Sequence, residues 1–338
     1  MSREANLLNV LWLQSGGCGG CSLALMGAES PDLFQTLEGA GINLLWHPNL
    51  SEESAGEAIE ILENCRDGKQ PLDVLCIEGA MLCGPEGSGR FHMLSGTGQP
   101  MIQWVRQLAQ KARYVMAVGT CSAFGGIPMA GDNPSDASGL QFSGSTPGGL
   151  LGPDYVSGEG LPVINVAGCP PHPDWITEML MLLSDSKPGR DDFDEYLRPR
   201  PYADQLVHHG CPRNEYYEFK ASAKKCSDLG CLMENLGCMG TQAHADCNTR
   251  LRNGSGSCVR GGFPCINCAS PEFEEPGHSF ASTPKIAGIP IGLPTDMPKA
   301  WFVALASLSK SATPKRVRIN ATADHQLVSP TVRKPGRK

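Results

Sequence analysis

Fifteen cysteines stand among 338 residues, and eleven of them fall into three groups with metal-holding potential. The first comprises Cys18 and Cys21 in GGCGGC, Cys121 in GTCSAFGG and Cys169 in AGCPPHP. The second lies between His208 and Cys238, in HHGCPRNE and GCLMENLGC. The third is Cys247, Cys258, Cys265 and Cys268, in ADCNTR, GSCVRG and FPCINC. Thiolates are soft, strongly donating ligands, and sets of four suit an iron–sulfur cube. Three such sets in one chain read as an electron relay. A disulfide framework fits poorly, because it belongs to short secreted chains with an even cysteine count. Zinc fits the two-residue gaps of CGGC and FPCINC. Structural zinc sites are usually local, however, whereas Cys18 and Cys169 are about 150 residues apart.

These thiols need elements to position them. Apolar runs at 7–13, 42–46, 72–77, 114–118 and 163–166, rich in Val, Ile and Leu, predict buried parallel strands. Helical patterns at 54–65, 101–112 and 174–183 lie between them. The alternation predicts an α/β fold with a doubly wound parallel sheet. Three strands run straight into cysteine loops, at Cys18, Cys121 and Cys169. Open parallel sheets place ligands at the carboxyl ends of their strands, so these loops are expected to meet on one edge.

From about Pro188 the periodicity fades into Gly-, Pro- and polar-rich sequence. Burial alone is thin there, so metal is expected to contribute folding energy. The domains expected are 1–187, an irregular cysteine-rich domain over 188–275, and a wrapping segment with a basic tail over 276–338. The chain carries a formal charge of −7, which argues against a nucleic-acid surface. Between Lys310 and Lys338 stand eight Lys or Arg and one Asp, a segment expected to stay mobile until it meets a partner. No apolar run is long enough to span a bilayer. The opening MSREANLLNVLW shows no basic-then-apolar leader, so a cytoplasmic location is expected.

The motifs VLWLQSGGCGGCS, VGTCSAFGGIP, AGCPPHPDW, the HxxC of His208–Cys211 and the closing PCINC together resemble the small subunit of nickel–iron hydrogenases, over roughly residues 5–275. The resemblance implies a flavodoxin-like domain without flavin, followed by an iron–sulfur domain. It also implies a large-subunit partner that carries the nickel–iron centre. Three iron–sulfur clusters follow from it: proximal on Cys18, Cys21, Cys121 and Cys169; distal on His208, Cys211, Cys231 and Cys238; medial on Cys247, Cys258, Cys265 and Cys268. His208 is a ligand on this argument alone, since a His beside another His is more often a solvated loop residue.

The departures from the family pattern are informative. Many members have Pro where Cys258 stands and hold a three-iron (3Fe-4S) medial cluster; the fourth thiolate points instead to a four-iron cube, so that all three clusters are expected to be 4Fe-4S, with a 3Fe-4S medial cluster as the alternative. A four-iron cube generally sits at lower potential, which makes the middle of the relay less of an electron sink. Six residues separate Cys231 from Cys238 where five are usual. Gly17 occupies a position where members often have Glu, removing a carboxylate and predicting slow turnover. The wording LLWHPNLSEESAGE resembles the combined group of hydrogen-sensing and uptake hydrogenases rather than the exported enzymes, and with the missing twin-arginine leader and slow turnover the features resemble the regulatory, hydrogen-sensing subgroup, which signals to a histidine kinase. An uptake hydrogenase feeding a respiratory acceptor is the nearest alternative, although its opening motif usually lacks the second cysteine. A redox relay of respiratory-complex type, without a hydrogenase partner, is the third.

The remaining thiols have plainer expectations. Cys65 and Cys76 are expected to pack as small hydrophobes. Cys83 lies near the cluster edge, and Cys226 is an alternative to Cys231, so their roles stay open. His47, His92 and His172 are expected to be packed or hydrogen-bonded.

Overall fold

The computed structural model describes residues 7–275, 279–290 and 298–331. Packing divides the chain into two compact units: residues 1–205 with 268–275, and residues 206–267 with 276–338. The boundary expected at 187/188 therefore falls inside the first unit. Residues 268–275 return to that unit because Thr120 Oγ1 donates to Cys268 O at 2.5 Å and the Arg198 guanidinium donates to Ala269 O at 2.9 Å.

The first unit is a five-stranded parallel sheet: β1 (Leu8–Gln14), β2 (Ile42–Trp46), β3 (Val74–Glu78), β4 (Tyr114–Val118) and β5 (Ile164–Val166). The spatial order is 2-1-3-4-5, the flavodoxin-like winding. β3 and β4 are buried throughout, as their unbroken apolar sequences require when helices cover both faces. Helices α1 (Gly20–Met26), α2 (Leu33–Gly39), α3 (Ala55–Arg66), α4 (Met101–Ala109), α5 (Thr120–Phe124) and α6 (Pro173–Asp185) accompany the strands. Ser54 and Glu57 form a reciprocal capping box that fixes the start of α3. Leu11, Leu75, Val105, Leu108, Val115 and Phe124 lie in the contiguous core.

The expected strands and helices recur within two to three residues of these bounds. The sequence patterns did not reveal α1, which carries one of the thiols. It is only seven residues long, opens on a glycine and holds small residues, so it gives no apolar period.

Over residues 206–267 of the second unit the helices are short. They include α8 (Asn214–Glu218) and α9 (Met233–Leu236), after the short α7 (Arg200–Ala203) of the first unit. The small buried cluster here is Ala223, Leu232 and Leu236, so burial is indeed thin. One expectation is corrected. The basic segment after Lys310 is not mobile through its described length: α10 (Lys299–Ser311) and α11 (Lys315–Asn320) are helical. Val317 and Asn320 are fully buried. Asn320 holds the returning backbone through Leu327 N, Val328 N and Val328 O, while Gly230 N and Leu229 N donate to Ala321 O and Ala323 O. The tail's last four basic residues, Arg333, Lys334, Arg337 and Lys338, lie outside the described residues. Among the described residues, no helix is long and apolar enough to cross a membrane.

Candidate metal centres

At the carboxyl edge of the sheet, Cys18 follows β1, Cys21 sits in the first turn of α1, Cys121 begins α5 after β4, and Cys169 follows β5. All six pairs among these four thiols lie within electrostatic reach of one another. The meeting point spans the gap between β1 and β3, where the winding of the sheet reverses and ligands of this fold bind. Thr120 ties the loops together: its hydroxyl accepts from Gly168 N at 2.9 Å, and its amide donates to Gly168 O at 3.0 Å. Two glycines leave room for sulfur. A Cβ on Gly119, which has φ +92, would lie 2.4 Å from Cys21 Sγ, and one on Gly126, with φ +55, would lie 2.9 Å from Cys121 Sγ.

Burial pushes the Cys21, Cys121 and Cys169 thiols well above their ordinary value, Cys121 to about 12 and Cys169 to about 11, with neighbouring thiols adding to the shift. Thiolates in such a place need a cation to sustain them. Among the described residues, no three His, Cys, Asp or Glu groups gather closely enough to hold a single ion. Four mutually coupled thiols spread around one space fit a polynuclear iron–sulfur group better than zinc. None of the fifteen cysteines, all among the described residues, forms a disulfide.

In the second unit His208, Cys211, Cys231 and Cys238 line one cavity. Cys231 is pushed up to about 12, chiefly by burial. The two adjacent histidines divide their roles. His209 is exposed and its Nδ1 accepts from Leu206 N, whereas His208 faces the cavity and packs edge-on against Tyr217 at 4.4 Å. No hydrogen bond to a His208 ring nitrogen is formed among the described residues, which leaves the imidazole available as a ligand. The longer Cys231–Cys238 interval is absorbed by α9 and by Gly237 at φ +68, which turns the chain back to the cavity. Cys226 does not line it; that thiol packs against the Ala223–Leu232–Leu236 cluster.

A residue that the spacing did not suggest stands behind these thiols. Arg213, 8% exposed, donates to the carbonyls of Asp228, Gly230 and Val259 and lines the same cavity. Its charge interacts favourably with Cys211, Cys231 and Cys238. The one hint was its place in CPRNE, two residues after Cys211.

Of the third group, Cys247, Cys258 and Cys265 belong to the second unit. Ser257 Oγ donates to Asn248 Oδ1 at 2.6 Å, which binds the Cys258 loop to the Cys247 loop. Cys265 N points toward Cys238 Sγ at 3.4 Å. Cys268 packs with the first unit, where it interacts electrostatically with Cys169. The remaining thiols behave as small side chains: Cys65 and Cys76 are wholly buried, and Cys83 faces Met81 O and Ser138 Oγ. His92 and His172 are hydrogen-bonded as expected, to Ser15 Oγ and Asp174 N.

Comparison with known proteins agrees with this arrangement. Residues 18–183 match the family described as NADH ubiquinone oxidoreductase, 20 Kd subunit, and residues 203–281 match the C-terminal family of NiFe/NiFeSe hydrogenase small subunits. The second match separates the chain from a relay confined to the first fold. The F420 non-reducing hydrogenase II small subunit of Methanosarcina mazei is 32% identical over 79% of this chain and 73% of its own length. The periplasmic [NiFeSe] hydrogenase small subunit of Desulfomicrobium baculatum is 30% identical over 83% of this chain and 89% of its own. Among solved structures, the actinobacterial-type NiFe-hydrogenase from Ralstonia eutropha H16 aligns with a TM-score of 0.75 and 28% identity, covering 93% of both chains. The chain belongs to the family of nickel–iron hydrogenase small subunits. Members carry iron–sulfur clusters and pair with a large subunit on which the catalytic centre lies.

Proposed function

We propose that this small subunit moves electrons from hydrogen oxidation on the large subunit through three four-iron clusters, and that it serves as a cytoplasmic hydrogen sensor signalling to a histidine kinase. Such clusters, when bound, accept and release one electron at a time. The chain's own residues hold the thiols apart, exclude water and set the local charge. Proximal ligands are assigned to Cys18, Cys21, Cys121 and Cys169, distal ligands to His208, Cys211, Cys231 and Cys238, and medial ligands to Cys247, Cys258, Cys265 and Cys268. The observation that carries the relay reading is the pair of separate thiol sites, one at the sheet edge and one around the His208 cavity. Cys258 is the discriminating medial residue. Cys258→Pro is expected to create a three-iron resonance in the oxidised protein, and an unchanged spectrum would remove Cys258 from the ligand set.

The sensor reading is supported by Gly17, by the second cysteine of CGGC, and by the surface of the C-terminal helices. Trp301, Leu305 and Leu308 are 69%, 56% and 66% exposed on α10, and the cations Lys315 and Arg318 are exposed on α11. An apolar stripe with exposed cations on the next helix suits a protein partner. Because α11 is packed, truncation after Lys310 would remove structure as well as surface. The cleaner test exchanges Lys315 and Arg318 for Glu. Loss of kinase binding with hydrogen-dependent dye reduction intact supports docking. Full kinase binding in that variant sinks it and favours the uptake enzyme.

A further inference from the structure

The residue that closes β3, Glu78, is 2% exposed, yet its carboxylate accepts five hydrogen bonds. Oε1 accepts from the backbone amides of Cys21 at 2.9 Å and Ser22 at 3.3 Å. Oε2 accepts from Trp12 Nε1 at 3.2 Å, Gln14 Nε2 at 3.1 Å and Ser22 Oγ at 2.5 Å. Five donors and no acceptor is the environment of an ionised carboxylate, which has only lone pairs to offer.

A second layer fixes this group. His47, 1% exposed, accepts from Asn49 N through Nδ1 at 3.1 Å. In the neutral ring the proton is then on Nε2, which donates to Ser22 Oγ at 3.3 Å. That bond in turn commits the Ser22 hydroxyl hydrogen to Glu78. Burial holds His47 at about 4, so the ring stays neutral and contributes no compensating cation. The loop before Cys18 is also zipped to the residues that follow Glu78: Ser15 N donates to Glu78 O at 2.7 Å, and Gly16 and Ala80 exchange amide hydrogen bonds at 3.0 and 2.8 Å.

Two effects on the Cys18–Cys21 loop follow. The amides of Cys21 and Ser22 are engaged by Glu78, so they are withheld from any sulfur acceptor. A negative charge is also pinned beside Cys21, in a water-poor place where charges act strongly. Hydrogen bonds to sulfur and local charge are the two levers a protein has on the potential of an iron–sulfur group, and here both act in the same direction. We infer that Glu78, oriented by Ser22 and His47, is a positioning residue for the proximal thiol loop and a fixed buried anion that lowers the reduction potential of the group those thiols hold. The inference rests on the assignment of Cys18, Cys21, Cys121 and Cys169 as ligands.

The test is a redox titration of the purified complex with its large subunit, followed by electron paramagnetic resonance, on the wild type, Glu78→Gln and Glu78→Asp. Glu78→Gln keeps the shape and removes the charge. It is expected to shift one signal to higher potential, leaving the other signals and the iron content unchanged. Equal potentials for every signal in the wild type and Glu78→Gln would overturn the inference. If Glu78→Gln loses the signal, Glu78→Asp decides: a signal retained near the wild-type potential supports the charge role, and one shifted upward or absent overturns it. Failure of the ligand assignment is read separately, because Cys18→Ser would then leave every signal in place.

Discussion

The two units solve the same problem, holding thiols around a space, with opposite means. The first builds a covered parallel sheet and then hangs its thiols from the ends of β1, β4 and β5, so a core that includes Leu11, Leu75 and Val115 positions the site. The second has a small buried cluster of Ala223, Leu232 and Leu236. Its loops are held by single side chains reaching backbone carbonyls, Arg213 and Asn320 above all. A site on a sheet edge can be preformed, whereas a site made from loops depends on what it binds.

The largest expected effect is on the loop-built unit. Removing iron by chelation is expected to abolish hydrogen-exchange protection through 206–267 while protection in β1, β3 and β4 persists. Equal loss in both units would erase the contrast. Next in size, Arg213→Met leaves the buried carbonyls of Asp228 and Gly230 without a donor and removes a charge from behind the Cys211, Cys231 and Cys238 thiols. A loss of about 3–5 kcal/mol is expected for the second unit, read from urea midpoints. A value under about 1 kcal/mol would mean that the loops are held some other way.

The first unit is sharpened by acid. His47 is depressed to about 4 by burial, so between pH 6.5 and 4 the unfolded chain takes up a proton that the native state refuses. Stability present above pH 6.5 is therefore lost as pH falls, by about 3 kcal/mol in all. His47→Gln is expected to flatten this part of the profile, and an unchanged slope would place the acid sensitivity elsewhere. The smallest change is Gly119→Ala. Strain at φ +92 costs about 1–3 kcal/mol, and the added methyl pushes against Cys21 Sγ. The proximal signal is expected to vanish while the sheet survives; a normal signal would show that the thiols have slack.

Much of this was legible in the chain and the rest was not, for physical reasons. Buried parallel strands announce themselves as apolar runs, so β2 and β4 stand where the pattern put them, and a strand leading into a cysteine loop fixes the place of Cys121 and Cys169. His208 was distinguishable from His209 only through resemblance, because local sequence says nothing about which ring turns inward. The Glu78, Ser22 and His47 network joins three distant segments and leaves no spacing rule behind. The C-terminal helices were hidden differently. KAWFVALASLSKS has few polar residues to mark a helical face, and the packing of α11 rests on Val317 and Asn320, two residues inside an otherwise basic run.

A sheet-edge site and a loop-built site are proposed to belong to one three-cluster relay. Stepwise reduction of the complex, followed by electron paramagnetic resonance and accompanied by iron and sulfide analysis, tests it most directly. Three separately titrating four-iron clusters and no three-iron resonance in the oxidised protein are expected. A single cluster, or zinc in place of iron at either site, would contradict it.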